Sequence, residues 1–271
     1  MDKLEIKIDK NMSVLDFLAN QDFSYGYSLK LLRQKDVRIN GEKISKNLPL
    51  KVGDVITIFY KKLTPKFDVL FEDENVVVIN KPIGIEVEGE NGVAQCLGAI
   101  AVHRLDRNTT GLLILAKNEQ SEQELLSAFK NHTVIKKYLA HVYGVTKFKN
   151  FDFKAYLLKN SAESKVKIFE KCVKNSVFVE TIFNTVSADD KTSVVKCLLM
   201  TGKTHQIRAS LAYLNYPIIG DRKYAKNEIK KSFKEKYQKL HCYYLKFQNL
   251  GKHLGYLNEL EFINYPKWYK K

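Results

Sequence analysis

The chain has 271 residues, of which 45% are hydrophobic and 11% aromatic, enough apolar surface to offset the entropy of ordering a backbone, so a disordered chain is excluded and one or two domains are expected. Forty-five Lys and Arg against 30 Asp and Glu leave a formal charge of +15, which favours a polyanionic partner because clustered cations release the counterions condensed on phosphates. Nucleic acid leads and an anionic membrane surface comes second; a lysine-rich surface serving only solubility is the plain alternative.

In chain order, Met12 to Leu18 carries Val14, Leu15, Phe17 and Leu18 behind possible caps at Asn11 and Ser13, and Leu29, Leu31 and Leu32 mark a second short helix. Val37 to Gly41 contains the tight-turn pair Asn40-Gly41, and Val52 to Ile58 reads as a turn feeding a strand. The polar, Pro-containing stretch Lys61 to Lys66 suggests a boundary, giving domains 1–62 and 63–271. Beyond it, Val69-Leu70-Phe71 and Val76 to Ile79 form a hairpin pattern, and Leu112 to Ala116 suits a buried strand. Asn118 or Ser121 can cap a helix, Ser121 with Glu124 fitting a capping box ahead of Leu125, Leu126 and Phe129. Strands are expected over Val134 to Val145, Ser176 to Val186 and Ser193 to Leu199, and a helix over Thr204 to Leu214 after the Thr201-Gly202 turn. Arg222 to Lys239 is strongly basic; if helical, it is either a phosphate-facing surface or a solvated face. Without regular βαβ alternation the class is α+β: a largely antiparallel mixed sheet flanked by helices, preceded by a small α+β unit.

Cys96, Cys172, Cys197 and Cys242 lie far apart without Cys/His pairing at ligand spacing, so reduced core thiols are expected, with no structural zinc and no disulfide framework. The opening Met1 to Lys7 alternates charged and apolar residues, and no run approaches the roughly 20 apolar residues of a membrane span; the cytoplasm and no membrane partner are expected. A monomer is the default oligomeric state.

The helix pair and following hairpin of residues 1–62 resemble the S4-type RNA-binding domain, with Asp16 on the first helix, Lys30, Arg33 and Lys35 on the second, then Val37 to Gly41 and Gly53-Asp54. The resemblance implies that Lys30, Arg33, Lys35 and the neighbouring Arg38 face structured RNA. A generic helix-hairpin with a basic, solvated face remains open.

The segment His103-Arg104-Leu105-Asp106-Arg107-Asn108-Thr109-Thr110-Gly111 gathers charge on a turn that runs into the apolar strand at Leu112. By itself it reads as a surface Asp beside arginines, an arrangement worth little to stability. It is similar, however, to the signature of the RluA-type family of RNA pseudouridine synthases. Three more stretches agree in order: Glu72-Asp73-Glu74 through Lys81-Pro82-Ile83-Gly84; Lys137 through Gly144; and Thr201 through Arg208, continued by Pro217-Ile218-Ile219-Gly220-Asp221.

The resemblance implies an isomerase of uridine in RNA, on ribosomal RNA of the large subunit before transfer RNA, needing no cofactor and no metal. It makes Asp106 the catalytic carboxylate. Arg104 would enter the RNA stack where the uridine leaves, Tyr138 would lie against the uracil, and Arg208 would pair with Asp106. Lys81, Leu199 and Leu245 are implied as pocket residues and Arg107 as an RNA contact, while a structural hydrogen bond is expected of His103 and of His205. Thr110 stands where the family usually has Ser, Ser210 where it commonly has His, and the segment from Ile85 to Val102 is short and acidic at Glu86, Glu88 and Glu90. A non-catalytic RNA-binding or ribosome-assembly protein on the same scaffold is the competing reading. A glycosidase is a poor third, since that chemistry usually wants two placed carboxylates.

Overall fold

A computed structural model describes every residue except 1, 22, 24, 61–65, 90, 161–163, 233 and 271, with backbone only at 230–232. The chain divides into two compact units, Met1–Lys66 and Phe67–Lys271. The boundary expected at 62–63 lies outside the described residues.

In the first unit β1 (Asp2–Lys7) and β2 (Met12–Ser13) precede helices α1 (Val14–Asn20) and α2 (Tyr25–Gln34), followed by β3 (Val37–Ile39), β4 (Glu42–Ile44), β5 (Pro49–Leu50) and β6 (Val55–Tyr60). Ser13 caps α1 by accepting from the Asp16 N–H at 3.2 Å, and Asp16 reaches back to Ser13. Asn40 and Gly41, at φ of 51° and 87°, supply the two left-handed residues of the β3–β4 turn. The antiparallel order is β1-β6-β3-β4, packed on α1 and α2 through Val14, Leu18, Leu31, Leu32, Ile56 and Ile58.

In the second unit the strands and helices run β7 (Asp68–Glu72), β8 (Val76–Lys81), α3 (Val93–Leu97), β9 (Ile100–Ala101), β10 (Thr110–Ala116), α4 (Glu119–Lys130), β11 (Val134–Tyr143), β12 (Phe151–Asn160) and β13 (Lys165–Phe169). They continue β14 (Val177–Ala188), β15 (Thr192–Leu199), α5 (Gln206–Tyr213), α6 (Asn227–Ser232), β16 (Leu240–Phe247) and β17 (Glu261–Ile263). One sheet collects all the strands in the order β13-β12-β14-β15-β11-β16-β10-β8-β7, with β17 on β16 and β9 on β10. Pairing is antiparallel except between β10 and β16, which run parallel at Thr110–His241 and Gly111–Cys242. The α+β class and the largely antiparallel sheet are as expected from sequence.

Several local expectations change. The cap of α4 is Asn118, whose carboxamide accepts from the Ser121 N–H at 2.9 Å; Ser121 is turned inward to His253 instead. Among its described residues the basic stretch from Arg222 to Lys239 is helical over Asn227–Ser232 alone. Central strand β16 is not evident in the sequence, because its apolar pattern is broken by His241 and Lys246.

The β10–β16 contact is close. Gly111 sits at φ 108°, and a Cβ there would lie 2.2 Å from the Cys242 carbonyl oxygen. Gly111→Ala therefore combines backbone strain with a clash that only sheet separation relieves, and should cost about 3 kcal/mol or more. A urea titration of the variant reads this as a lowered midpoint; a midpoint equal to wild type would show that the two strands can part freely.

Candidate active site

The turn from β9 to β10 carries Arg104, Asp106 and Arg107, and several bonds fix it. The Thr109 N–H donates to the Asp106 carbonyl at 2.9 Å, closing the turn. His103 accepts the Ile114 N–H on Nε2 at 3.1 Å and stacks on Phe129 at 4.5 Å, the structural role expected of it. At the far end the Thr110 hydroxyl meets His241 Nδ1 at 2.7 Å, and His241 Nε2 lies 2.9 Å from the Asn264 carbonyl. That carbonyl can only accept, so Nε2 carries the ring hydrogen and Thr110 donates to Nδ1. Thr110 thus keeps the use of its hydroxyl.

Lys81, at the end of β8, is fully buried. Its ammonium donates to the carbonyls of Ile85 (2.8 Å), Pro82 (2.9 Å) and Arg107 (3.1 Å). Burial lowers its pKa to about 8, while Glu86 and Asp106 pull it back up. The Gly84 N–H also donates to the Arg107 carbonyl, and Arg107 Nε donates to the Gly84 carbonyl at 3.0 Å. Lys81 is therefore a clamp under the Asp106 turn and does not line the cavity. Arg107 is exposed but tied by Nε to that same turn.

The opposing wall comes from α5. Gln206 is buried with its carboxamide used throughout: Nε2 donates to the Glu180 carbonyl (3.0 Å) and Thr181 (2.9 Å), and Oε1 accepts from Thr201 and the Lys203 N–H at 3.0 Å each. This fixes the turn before the helix, and Arg208 projects from the first turn of α5. Its Nη1 donates to Asp106 Oδ2 at 2.7 Å, while Nε and Nη2 donate to Asp221 Oδ2 and Oδ1 at 2.7 and 3.0 Å. Burial opposes the guanidinium charge, but the hydrogen bond to Asp221 and the two carboxylates outweigh it and raise its pKa. Asp221 also accepts the N–H groups of Lys223 and Tyr224. Tyr224 lies under Arg208, with the guanidinium carbon 5.3 Å from the ring centre.

Between these walls lies a cavity of about 420 Å³, within the range of small-ligand sites. Asp106, Arg104, Tyr138, Leu199 and Arg208 all line it, with Leu240 and Ile207 adding apolar floor. Five of the expected residues are thus brought together from four parts of the chain. Among the described lining residues Asp106 is the one carboxylate, against Arg104, Lys130, Lys136, Lys203 and Arg208. Arg104 is exposed, whereas Tyr138 is 6% exposed and so presents an edge or face only toward the cavity. Leu245 is not at the cavity; it is fully buried in the core of the sheet, because β16 turns Leu240 to the site instead.

Three residues with direct bearing on the site were not assigned to it from sequence: His205, Asp221 and Tyr224. The available signal was Asp221 itself, an acid just before a basic stretch, thirteen positions beyond Arg208. Ser210, where the family commonly has His, is buried with no hydroxyl partner among the described residues.

In the first unit Lys30 and Arg33 are exposed on α2, Lys35 follows it at φ 57°, and Arg38 is half-buried on β3. Lys30 lies over Tyr27 at 5.9 Å and Arg38 over Phe59 at 4.9 Å.

The neutral histidines give a pH prediction. Burial lowers His103 to about 3, helped by the Lys136 charge, and burial lowers His241 to about 4 against the pull of Asn264. An unfolded imidazole titrates near 6.5, so below that pH the unfolded chain binds more protons and stability falls as pH falls. The stabilisation is whole above about pH 7 and is lost down to the folded values. By pH 5 the loss should be about 2 kcal/mol for each ring, roughly 4 for both. Urea unfolding at pH 7 and pH 5 measures it, and equal free energies would contradict it.

Residues 75–213 match the family model described as RNA pseudouridylate synthase. Ribosomal large subunit pseudouridine synthase C of Rickettsia felis is 30% identical over 258 residues, covering 82% of this chain and 83% of that protein. An uncharacterised RNA pseudouridine synthase of Bacillus subtilis is 29% identical over 244 residues, covering 79% and 80%. A mitochondrial tRNA pseudouridine(32) synthase of Saccharomyces cerevisiae is 32% identical, covering 82% of this chain and 52% of that protein. In fold, human RNA pseudouridylate synthase domain containing 4 is similar with a TM-score of 0.61 at 22% identity, over 74% of this chain and 89% of the other. With three of its four ordered motifs lining one cavity and more than half of its length matched by the family model, the chain belongs to the RNA pseudouridylate synthase family, and is an isomerase.

Proposed function

We propose that the chain converts uridine to pseudouridine in ribosomal RNA of the large subunit, with Asp106 as the carboxylate that acts on the extruded nucleotide. The observation carrying this is the Asp106–Arg208 pair, closed at 2.7 Å on the wall of a cavity to which Tyr138 and Leu199 add apolar surface among basic side chains. The isomerisation breaks the bond between uracil nitrogen and ribose, turns the base and rejoins it through carbon. No atom enters or leaves, so one placed carboxylate acting on base or sugar suffices as the chemical group. Tyr138 and Leu199 hold the flat uracil away from water, and Arg104 fills the gap in the RNA stack, offsetting a few kcal/mol of unstacking. The exposed cations Lys30, Arg33 and Lys35, with Arg38, make the first unit a grip on structured RNA in the manner of an S4-type domain. The large-subunit target is supported by the similarity to ribosomal large subunit synthases.

Deleting the gene in its host and mapping pseudouridines across total RNA tests the reading. One or more sites in large-subunit RNA should revert to uridine and return with a plasmid copy. Loss confined to transfer RNA would move the target, and an unchanged map would overturn the proposal.

A further inference from the structure

His205 stands beside Asp106 in a conformation that its place in the chain does not explain. It takes the left-handed φ of 56° at the start of α5, yet its side chain makes no cap hydrogen bond to the helix. Strained backbone at a cavity wall calls for a use of the side chain. The ring bridges two groups: Nδ1 lies 2.8 Å from the Tyr224 hydroxyl, and Nε2 lies 3.8 Å from Asp106 Oδ2.

The hydrogen positions follow from the partners. The Val166 N–H donates to the Tyr224 hydroxyl oxygen at 2.9 Å. Among the described residues, the hydroxyl hydrogen then has one acceptor in reach, His205 Nδ1. A ring that accepts on Nδ1 carries its hydrogen on Nε2. That hydrogen faces the Asp106 carboxylate, where a lone pair would be repelled, so both ends of the imidazole call for the same tautomer. The ring is neutral near pH 7: burial lowers its pKa to about 4, with Asp106 and Asp221 raising it and Arg208 and Lys223 lowering it.

Both donors address the same oxygen. Arg208 Nη1 and His205 Nε2 face Oδ2, and Oδ1 has no hydrogen-bond partner among the described residues. We propose that His205, held by Tyr224 as the Nε2–H tautomer, is a positioning residue that locks Oδ2 of Asp106 together with Arg208, leaving Oδ1 as the atom that reacts with the nucleotide. The separation of 3.8 Å is longer than a hydrogen bond and closes with a shift of about 1 Å, as catalytic contacts commonly do when substrate binds. This deepens the synthase reading and rests on it.

The test joins a spectrum to kinetics. Nitrogen-15 NMR of the imidazoles in the free protein at pH 7 should show His205 neutral with its hydrogen on Nε2, and Tyr224→Phe should release a population with the hydrogen on Nδ1. His205→Gln, which keeps a donor near the Nε2 position, should stay within a few-fold of wild-type kcat. His205→Phe should lose about 30-fold in kcat with KM unchanged, the pattern of a contact made at the reacting centre and not in RNA binding. A charged ring, a ring bearing its hydrogen on Nδ1 in the wild type, or wild-type turnover by His205→Phe would overturn the proposal. The spectrum needs no product, so a wild-type protein that makes no pseudouridine would sink the synthase reading while the tautomer is still measured.

Discussion

Asp106→Asn should abolish pseudouridine formation, by at least about a thousandfold in single-turnover assays, while RNA affinity stays within about threefold of wild type. The carboxamide has the shape of the carboxylate but neither its charge nor its nucleophilicity, and Arg208 remains paired with Asp221 through two hydrogen bonds. The fold should therefore be kept, with unfolding free energy within about 1 kcal/mol of wild type. This separates the synthase from an RNA-binding protein that retains the scaffold, because only the synthase needs a charge at position 106. A variant that still forms product at near-normal rate would remove Asp106 from the chemistry.

Arg208→Ala should combine a large loss of stability with a loss of turnover. Arg208 is 7% exposed and Asp221 2%, so truncating the guanidinium leaves a carboxylate in the interior with only two backbone N–H donors. Removing one partner of a buried pair typically costs about 3–5 kcal/mol. Asp106 loses its 2.7 Å donor at the same time, and turnover should fall at least about a hundredfold. Arg208→Lys keeps a charge but cannot span two carboxylates from one nitrogen, so it should recover part of the stability and little of the activity. Calorimetry alongside single-turnover assays decides the matter: an Arg208→Ala protein that melts and turns over like wild type would show the bridge to be incidental.

Much of the fold is legible in the amino-acid sequence, for reasons that differ by element. Strands β8 and β10 are short, unbroken apolar runs, and α1 has its cap in Ser13; such signals are local. β16 is not legible because much of its environment comes from distant parts of the chain: His241 is buried by satisfying Thr110, 131 positions earlier, together with Asn264. In the site, motif resemblance points to Asp106, Arg104, Tyr138, Leu199 and Arg208, and all five line one cavity. It also implies Lys81 and Leu245 as pocket residues, but one is a clamp beneath the turn and the other is core. The difference is one of side-chain direction, which depends on strand register and cannot be read from spacing along the chain. Asp221 and Tyr224 escape a sequence reading for a similar reason, since their roles exist only through Arg208 and His205.

The Lys81 clamp separates what can vary from what cannot. Its three carbonyls tie the end of β8 and the turn after it to Arg107, next to Asp106, while β9 is fastened to β10. Between those anchored ends the acidic segment packs Val87 and Val93 into the core and leaves Glu86 and Glu88 exposed. Its exposed charges can be changed without moving the carboxylate, because the buried valines and the clamp hold the backbone. The charge carried by this segment and the position of Asp106 are thereby independent traits, so that one can drift in the course of evolution while the other is kept.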